Sequence, residues 1–235
     1  MAVVHKNRSG QVAAGELHNG DCMMQPEFHR TYEQMPEGFK AELLGGVVFV
    51  CEPLGLPHGG SHLRLSSVFD AYQASTPGVQ AGDKVTVILG KKDEVQPDLF
   101  LRVLPACKGQ SRDKESKKDG LYVQGAPELT AEVAHTSKSI DLHLKKQRYA
   151  RAGVLEYIVL CLKPAQLRWF DLRGNSELSA DSDGVFRSIA FPGLWIGSTH
   201  LLRDQYHPLM DTLNRGLAST EHADFVARLA AARLL

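Results

Sequence analysis

Cysteine is scarce in this chain of 235 residues, and no two of its four cysteines form a C-x-x-C pair. This wide scatter argues against a zinc site and against a disulfide framework, because both need systematically spaced cysteines. Cys51 and Cys161 lie inside apolar stretches of the sequence. We therefore expect both to be buried free thiols that pack like small hydrophobic side chains.

Long hydrophobic runs and an excess of one charge are also missing. No stretch approaches the roughly 18 consecutive apolar residues that a membrane span needs. The polar start of the chain lacks the basic and then apolar pattern of a signal peptide. Lys plus Arg and Asp plus Glu both total 27, which argues against a surface that binds nucleic acid non-specifically but is compatible with a local basic groove. These absences predict a cytoplasmic protein without a membrane partner.

Glycine-rich loops for binding nucleotides are absent as well. Neither G-x-G-x-x-G nor G-x-x-x-x-G-K-[ST] occurs, so the sequence lacks the main evidence for a dinucleotide-binding or a P-loop protein. The chain does contain 43% hydrophobic and 23% charged residues, which is ordinary for a globular domain with a sizeable core. We expect a flexible tail over residues 1–25, a folded domain over 26–203 and a helical extension over 204–235.

Hydrophobic periodicity predicts an α/β protein of the α+β kind, with a mixed sheet covered by helices. Leu65, Phe69 and Tyr72 belong to one apolar stripe at helical spacing, and Gly45-Gly46 indicates a turn between two short strands. The predicted helices cover 26–36, the segment around that stripe, 136–153 and 204–235. The predicted strands cover 41–53, 84–89, 96–103, 129–134 and three segments between 154 and 191.

Three further expectations concern the connections and ends of these elements. The strands at 84–89 and 96–103 are expected to form a hairpin through the connection GKKDE. The polar segment 105–120 shows no period and is predicted to be a loop. Gly153 is expected to end the helix that starts near residue 136.

Two carboxylates stand out because each interrupts an otherwise apolar strand. Asp98 lies in VQPDLFL and Glu132 lies in LTAEVA. A charged side chain inside a buried strand is costly unless it is paired or bound to a metal ion. If the two strands are neighbours, side-chain alternation allows both carboxylates to converge at one point. The alternative is that each carboxylate is hydrated or caps a turn at a strand end.

Lys145 is the third candidate, on the helix that follows Glu132. It lies four residues after Asp141 and four before Tyr149, so the three share one side of the helix. Its aliphatic stem is expected at the edge of the apolar stripe, where the ammonium can reach a cleft. The simpler alternative is a surface ion pair between Asp141 and Lys145, worth a few tenths of a kcal/mol.

Three runs in this order, VQPDLFL, GAPELTAEV and DLHLKKQRYARAGVLEYIVL, resemble the Uma2 family, which belongs to the PD-(D/E)xK nuclease superfamily. Upstream, AELLGGVVFV and GGSHLRL resemble the first strand and the helix start of that family. The resemblance covers about residues 32–172, and YARAGVLEY is its most specific part. It implies a restriction-endonuclease-like mixed β-sheet flanked by helices and a metal-dependent endonuclease that acts on DNA.

The same resemblance implies roles for five residues. Asp98 and Glu132 fall on the metal-ligand positions, and Lys145 falls on the position of the catalytic lysine. Glu42 matches a glutamate of the first strand, and His62 matches a histidine of the helix start. Gly45-Gly46-Val47 departs from the D-G-E of the family and removes two acidic groups near the implied site.

The implied chemistry suits these residue types. Mg²⁺ prefers hard oxygen ligands and keeps several waters, so Asp98, Glu132 and a backbone carbonyl such as that of Val133 would suffice to hold Mg²⁺ or Mn²⁺. The cation would lower the pKa of a bound water and neutralise charge on the phosphate. Lys145 would orient the attacking water or stabilise the developing negative charge.

The remaining candidates have competing interpretations. Glu42 is either an additional ligand or water-orienting group, or a strand-end carboxylate that faces solvent. His62 is expected to contact a phosphate or a site carboxylate, unless it only caps or packs. His58 and His135 are weaker candidates of the same kind.

Basic side chains cluster around the predicted helix at 136–153 and would offer a phosphate-facing edge to DNA. The same cluster fits an ordinary solvated face of a helix. Its members are Lys138, Lys145, Lys146, Arg148 and Arg151. The amphipathic C-terminal segment is expected to dock on its own domain or to form a homodimer.

Three functions therefore follow from the sequence. The leading hypothesis is a metal-dependent endonuclease that cleaves DNA. The alternative is a nuclease-fold protein with little or no cleavage that binds nucleic acid or acts as an oligomeric interaction module. A hydrolase for another phosphate ester would share the site but not the substrate.

Overall fold

Fourteen strands and six α-helices form the part of the chain that this computed structural model describes, residues 15–234 without 52, 54, 117–119 and 136. The strands build two six-stranded sheets and one two-stranded sheet, and the helices cover them. The mixed α+β class predicted from periodicity is confirmed.

The helices and strands have the following bounds. The α-helices are α1 (Gln25–Tyr32), α2 (Leu56–Ser75), α3 (Lys146–Ala152), α4 (Ser198–Leu202), α5 (Tyr206–Leu217) and α6 (Thr220–Arg233). A π-helical turn (Ile140–Lys145) leads into α3, and a 3₁₀ turn covers Pro105–Cys107. The strands are β1 (Ala41–Leu44), β2 (Val47–Val50), β3 (Val79–Asp83), β4 (Val87–Gly90), β5 (Asp93–Val95), β6 (Leu99–Val103), β7 (Arg112–Glu115), β8 (Leu121–Gln124), β9 (Leu129–Ala134), β10 (Glu156–Leu162), β11 (Ala165–Asp171), β12 (Ser176–Leu178), β13 (Val185–Arg187) and β14 (Trp195–Gly197). Among these described helices, none is long and apolar enough to cross a membrane.

The sheet that carries the core has the order β12-β11-β10-β9-β6-β3. Strand β9 lies inside it, parallel to β10 and antiparallel to β6, and every residue of β9 is buried. Leu129, Ala131 and Val133 pack in the cluster that contains the apolar stripe of α2, whereas Ala134 packs in the cluster that contains Tyr149 of α3. Because side chains alternate along a strand, Glu132 shares the α3 side with Ala134.

The second sheet has the order β2-β1-β5-β4-β8-β7. The turn at Gly45-Gly46 is confirmed, because the two φ values are 67° and 88°, a region that glycine enters at no steric cost. The hairpin expected between 84–89 and 96–103 is wrong. Strand β4 forms its hairpin with β5, while β6 belongs to the other sheet. Three residues, DEV, are too few to show a hydrophobic period, so the sequence pattern did not indicate β5.

The loop expected over 105–120 also contains a strand. Strand β7 pairs antiparallel with β8 at the edge of the second sheet, and none of its side chains is buried. A charged edge strand has no buried face and hence no alternation of hydrophobic residues to indicate it. Asp113 of β7 forms an ion pair with the buried Arg102 of β6, which ties the two sheets together.

The beginning of the described chain packs on the domain. Leu17 is buried, and Cys22 forms an isolated antiparallel bridge with Val47. A flexible tail over 1–25 therefore does not describe residues 15–25, and residues 1–14 lie outside the described residues. Of the two cysteines expected to be buried, Cys161 is buried, but Cys51 is exposed because it follows β2 at the edge of its sheet.

The C-terminal helices contribute to the same core as the main sheet. Leu209 and Leu213 of α5 and Phe225 and Leu229 of α6 pack in the cluster that also holds the stripe of α2. The segment 204–235 therefore docks on its own domain, as one of the two expectations had it. The homodimer stays a prediction.

Helix α1 is attached to β5 by two polar contacts. Gln25 Nε2 donates to Glu94 Oε2 at 2.6 Å, and His29 Nδ1 lies 2.8 Å from Glu94 Oε1. The hydrogen bond to Glu94 raises the pKa of His29 above its ordinary value, although burial opposes this. The protonated form of His29 therefore stabilises the docked helix.

Wild-type protein is expected to lose stability relative to His29→Gln as the pH rises. The folded-state pKa of His29 exceeds the unfolded value of about 6.5, so the stabilisation that His29 provides is complete below that value and is lost as the pH passes the raised pKa. Midpoints of urea unfolding, measured from about pH 5 to about pH 9, would detect this. Parallel pH profiles for the two proteins would contradict the assignment.

Glu156, the first residue of β10, holds a distant loop. Its carboxylate accepts hydrogen bonds from Trp169 Nε1 at 3.0 Å, from Ser188 Oγ at 2.7 Å and from the backbone N–H groups of Ile189 and Ala190. Glu156 is also the glutamate of the run YARAGVLEY. This part of the run therefore has a structural function.

Replacing Glu156 with alanine is expected to lower the free energy of unfolding by about 4 kcal/mol, because buried donors lose their acceptor. Chemical denaturation would measure the loss. Glu177→Ala is the matched control, since Glu177 makes an ion pair with Arg168 at the surface, worth at most about 1 kcal/mol. Equal losses in the two variants would refute this assignment.

Candidate metal centre

Asp98 lies directly before β6, next to Glu132 of β9. The antiparallel register pairs Leu99 with Ala131, so one further step along both strands places Asp98 across from Glu132. Facing residues of antiparallel strands direct their side chains to the same face, with Cβ atoms about 5 Å apart. The two carboxylates singled out in the sequence are therefore neighbours.

The Asp98 carboxylate accepts two hydrogen bonds from the residues that the structure describes, and both fall on one oxygen. The backbone N–H of Val133 donates to Oδ2 at 2.8 Å, and Nε2 of His58 on α2 lies 3.2 Å from the same atom. Burial by itself would raise the pKa of Asp98, but the donors from His58 and Val133 bring that pKa below its ordinary value. Asp98 is therefore ionised at neutral pH.

The Glu132 carboxylate also accepts its hydrogen bonds at one oxygen. Lys145 Nζ lies 3.0 Å from Oε1, and the Tyr149 hydroxyl donates to the same atom at 2.8 Å. Burial raises the pKa of Glu132 well above its ordinary value, and the carboxylates of Asp98 and Asp141 add to the rise. The nearby Lys145 ammonium opposes this shift without cancelling it.

Lys145 has a second carboxylate partner in Glu42 of β1. Its Nζ lies 2.8 Å from Glu42 Oε2, and the other oxygen of Glu42 accepts the backbone N–H of Gln96 at 2.8 Å. Burial would lower the pKa of Lys145, but Glu132 and Glu42 raise it well above its ordinary value. With both oxygens engaged, Glu42 is the counter-ion of Lys145 rather than a solvent-facing carboxylate.

A turn of π-helix places Lys145 at this point. The N–H of Lys146 bonds to the carbonyl of Asp141, five residues earlier, before regular α-helix begins. Such wide turns are rare and frequently occur at functional sites. Lys145 Nζ lies 4.0 Å from Asp141 Oδ1, and both side chains are buried. The surface ion pair considered for these two residues is therefore wrong.

The histidines occupy different places from those expected. Nε2 of His62 lies 3.1 Å from the backbone oxygen of Asp98 and 3.5 Å from Asp83 Oδ1, so it reaches the backbone and not a site carboxylate. The carboxylate contact is made by His58, one helical turn earlier, and His135 is exposed. The spacing of four residues between His58 and His62 was the available signal for a shared helix face.

The basic residues around 136–153 do not share one surface. Lys145 is buried in the carboxylate cluster, and Arg148 forms an ion pair with Asp93 of β5. Lys146 lies over the ring of Phe170, 4.0 Å from its centroid. A single phosphate-facing edge built from all five basic residues is therefore not formed.

Two carboxylate oxygens and one backbone carbonyl oxygen of the cluster are suited to be metal ligands. Among the described residues, no donor forms a hydrogen bond with Asp98 Oδ1 or Glu132 Oε2. A strand residue directs its N–H and its C=O to the same edge, so the Val133 carbonyl points to the edge where its N–H meets Asp98. These three oxygens are the hard donors that Mg²⁺ prefers.

The charge of the cluster also fits a divalent cation. The Glu132 carboxylate is surrounded by the carboxylates of Glu42, Asp98 and Asp141 and by the Lys145 ammonium. Negative charge is therefore in excess. Within the described ranges, no three His, Cys, Asp or Glu side chains are placed to hold a metal ion together. A cation would take two carboxylates, backbone oxygen and water, which suits an ion that keeps several waters.

A mixed β-sheet covered by helices, with Asp98 and Glu132 at neighbouring strands and Lys145 on the helical turn that follows, defines a restriction-endonuclease-like fold. A family model described as "Uma2: Putative restriction endonuclease" matches residues 26–199, and the chain belongs to this family. The membership predicted from YARAGVLEY and the two earlier runs is thus confirmed.

One solved structure with this fold is the crystal structure of a protein from Anabaena variabilis, titled as a "putative nuclease belonging to DUF820". The match covers 74% of this chain and 96% of that chain, with a TM-score of 0.57 and 11% sequence identity. At this identity the likeness shows the fold alone. No curated protein matches the chain.

Proposed function

We propose that this protein is an endonuclease that hydrolyses DNA phosphodiester bonds with Mg²⁺ or Mn²⁺. The observation that carries the proposal is the cluster of Asp98, Glu132 and Lys145, in which each of the two carboxylates ligating the cation keeps one oxygen that no described residue hydrogen-bonds, beside a buried ammonium. Membership of a family described as a restriction endonuclease supports nucleic acid as the substrate.

The chain's own residues would divide the chemistry as follows. Asp98 Oδ1, Glu132 Oε2 and the Val133 carbonyl would hold the cation. When bound, a divalent cation supplies Lewis acidity and neutralises charge at the phosphate. Asp98, whose pKa is lowered, would be ready to bind without losing a proton.

Lys145 has one N–H that no described residue accepts at hydrogen-bond distance, since Asp141 Oδ1 lies 4.0 Å from Nζ. An ammonium has three N–H groups, and two of them are directed at Glu42 and Glu132, which lie 2.8 and 3.0 Å away. The third would orient the attacking water or donate to a phosphoryl oxygen, in a buried place where such a donor is strong. Glu42 would hold the ammonium in position for that contact.

The substrate would approach from the side of Asp98. The Asp98 side chain is 12% exposed, against 5% for Glu132 and 3% for Asp141. A phosphodiester that reaches the cation from this side would meet Asp98 first and Lys145 behind it.

Plasmid cleavage tests the proposal. Wild type is expected to nick or linearise supercoiled DNA with Mg²⁺ or Mn²⁺ and to be inactive with chelator. Asp98→Asn should be inactive in every condition, because its amide replaces the free oxygen while its carbonyl still accepts from Val133 and His58. Asp70→Asn, an exposed change on α2, is the matched control and should cleave like wild type.

Three outcomes separate the functions that follow from the sequence. Equal behaviour of folded wild type and Asp98→Asn would reject the nuclease. Cation-independent DNA binding without cleavage would favour the interaction module. Hydrolysis of a small phosphodiester, with the plasmid left intact, would favour a phosphate ester other than DNA as the substrate.

A further inference from the structure

Two residues outside the predicted ligand set contact the ligand carboxylates directly. We infer that Tyr149 and His58 are positioning residues, each of which holds one oxygen of a carboxylate so that the other oxygen faces the cation. This inference rests on the proposed function. It concerns how the chain prepares the site, and it assigns neither residue a contact with the substrate.

At Glu132, Tyr149 shares one carboxylate oxygen with the lysine. Its hydroxyl donates to Oε1 at 2.8 Å, and Lys145 Nζ lies 3.0 Å from the same atom. The Tyr149 ring is buried and packs against the Tyr157 ring, with centroids 5.0 Å apart. A rigid buried ring thus fixes the rotation of the Glu132 carboxylate, since Oε1 has two donors and Oε2 has none within the described part of the chain.

At Asp98, His58 has the corresponding place. Nε2 of His58 lies 3.2 Å from Oδ2, the atom that also accepts the N–H of Val133. His58 is buried at the start of α2 and stacks with the His62 ring at 6.1 Å. Since a carboxylate oxygen accepts, Nε2 donates to Oδ2, and among the described residues Oδ1 has no donor.

Buried carboxylates outside the cluster are treated differently. Each of them engages donors with both oxygens, the usual arrangement for a carboxylate that only has to be satisfied inside a protein. They are Asp93, Glu94, Glu128 and Glu156.

Inside the cluster, Asp98 and Glu132 are the described carboxylates that have two donors on one oxygen and none on the other. Glu42 engages both oxygens, through Gln96 and Lys145. Asp141 accepts from Ser137 at one oxygen and places the other nearest Lys145. Among the described buried carboxylates, two donors on one oxygen and none on the other therefore occur at Asp98 and Glu132 alone.

Metal affinity in the absence of DNA tests the inference. Calorimetric titration of the full chain with Mn²⁺, and separately with Mg²⁺, is expected to show affinity 10- to 100-fold weaker in Tyr149→Phe, roughly the effect of removing a group that orients a metal ligand. Tyr157→Phe is the matched control. It removes a hydroxyl of the same layer that donates to the Asp141 carbonyl at 3.1 Å, so its affinity should equal that of wild type.

His58 is tested by a pair of substitutions. His58→Leu fills the space without a donor and should weaken binding to a similar extent. His58→Gln retains an N–H at about the reach of Nε2 and should restore most of the affinity. A merely structural effect on α2 would appear in thermal unfolding with chelator and would not follow this order.

Each outcome decides the matter. Weaker binding in Tyr149→Phe and His58→Leu, with Tyr157→Phe and His58→Gln near wild type, supports the inference. Wild-type affinity in all variants overturns it and leaves the proposed nuclease intact. An equal loss in Tyr157→Phe overturns it in favour of general loosening. Wild type that binds neither ion refutes the proposed function, and this inference with it.

Discussion

Lys145→Met is expected to lower the free energy of unfolding by about 3–5 kcal/mol when divalent cations are removed. Lys145 Nζ lies 2.8 Å from Glu42 and 3.0 Å from Glu132, and all three side chains are buried. Without the ammonium, these carboxylates face each other and Asp141 with no counter-charge. Urea denaturation in chelator would measure the loss.

The same variant is expected to gain more stability from Mn²⁺ than wild type does. A divalent cation would restore part of the positive charge that the substitution removes, and ligand binding to the folded state alone raises its stability. DNA cleavage should nevertheless fall by about 10²- to 10³-fold, the usual effect of losing one donor to the developing charge. The variant would thus exceed wild type in its stabilisation by the cation and fall below wild type in cleavage.

Two further variants serve as controls for Lys145→Met. Lys146→Met changes the adjacent lysine, which lies over the Phe170 ring, and should cost no more than about 1 kcal/mol. Adding Glu42→Gln to Lys145→Met should recover stability, because one of the uncompensated carboxylates is removed and the two effects are not additive. If Lys145→Met were as stable as Lys146→Met, the buried ion cluster would not have the charges assigned to it.

Glu132→Gln is expected to be at least as stable as wild type in chelator and to lose its response to divalent cations. The amide oxygen of glutamine can still accept from Lys145 and Tyr149, and the cost of burying an ionised carboxylate disappears. The amide nitrogen replaces Oε2, however, and cannot serve as a metal ligand. Wild type should gain about 2.7 kcal/mol at a cation concentration of roughly 100 times Kd, and the variant should gain nothing.

Cleavage by Glu132→Gln should fall by on the order of 10³-fold or more, because losing a ligand removes several kcal/mol of charge stabilisation. Glu128→Gln is the matched control. Glu128 is buried too, but its oxygens accept backbone N–H groups of Val103 and Gln110. The control should lose stability and keep its cation response. If Glu132→Gln kept its response to the cation and Glu128→Gln lost it, the cation would bind elsewhere.

Several features of this protein could be predicted from local sequence. Gly45-Gly46 indicated the turn between β1 and β2, and Gly153, with φ of 96°, ends α3 as expected. The run LTAEVA indicated β9, because a strand buried on both faces is apolar throughout apart from a functional position. Carboxylates at Asp98 and Glu132 stood out for the same reason.

Other features had no local signal. Strand β5 is too short to show a period, and the charged edge strand β7 has no buried face. The packing of the C-terminal helices on the main core had no local signal either, because an amphipathic helix shows that it buries one face but not which surface covers that face.

The sequence by itself determined the fold class, the family and the identity of the two carboxylates and the lysine. Only the tertiary structure decided how they are paired. Glu42 of β1 meets Lys145 of the π-helical turn, His58 reaches Asp98 from 40 positions away, and Tyr149 hydrogen-bonds Glu132 from the next helix. Periodicity assigns a side chain to a face of its own element. The partner on the opposite face, and hence which carboxylate oxygen is left for a cation, depends on how separate elements pack together.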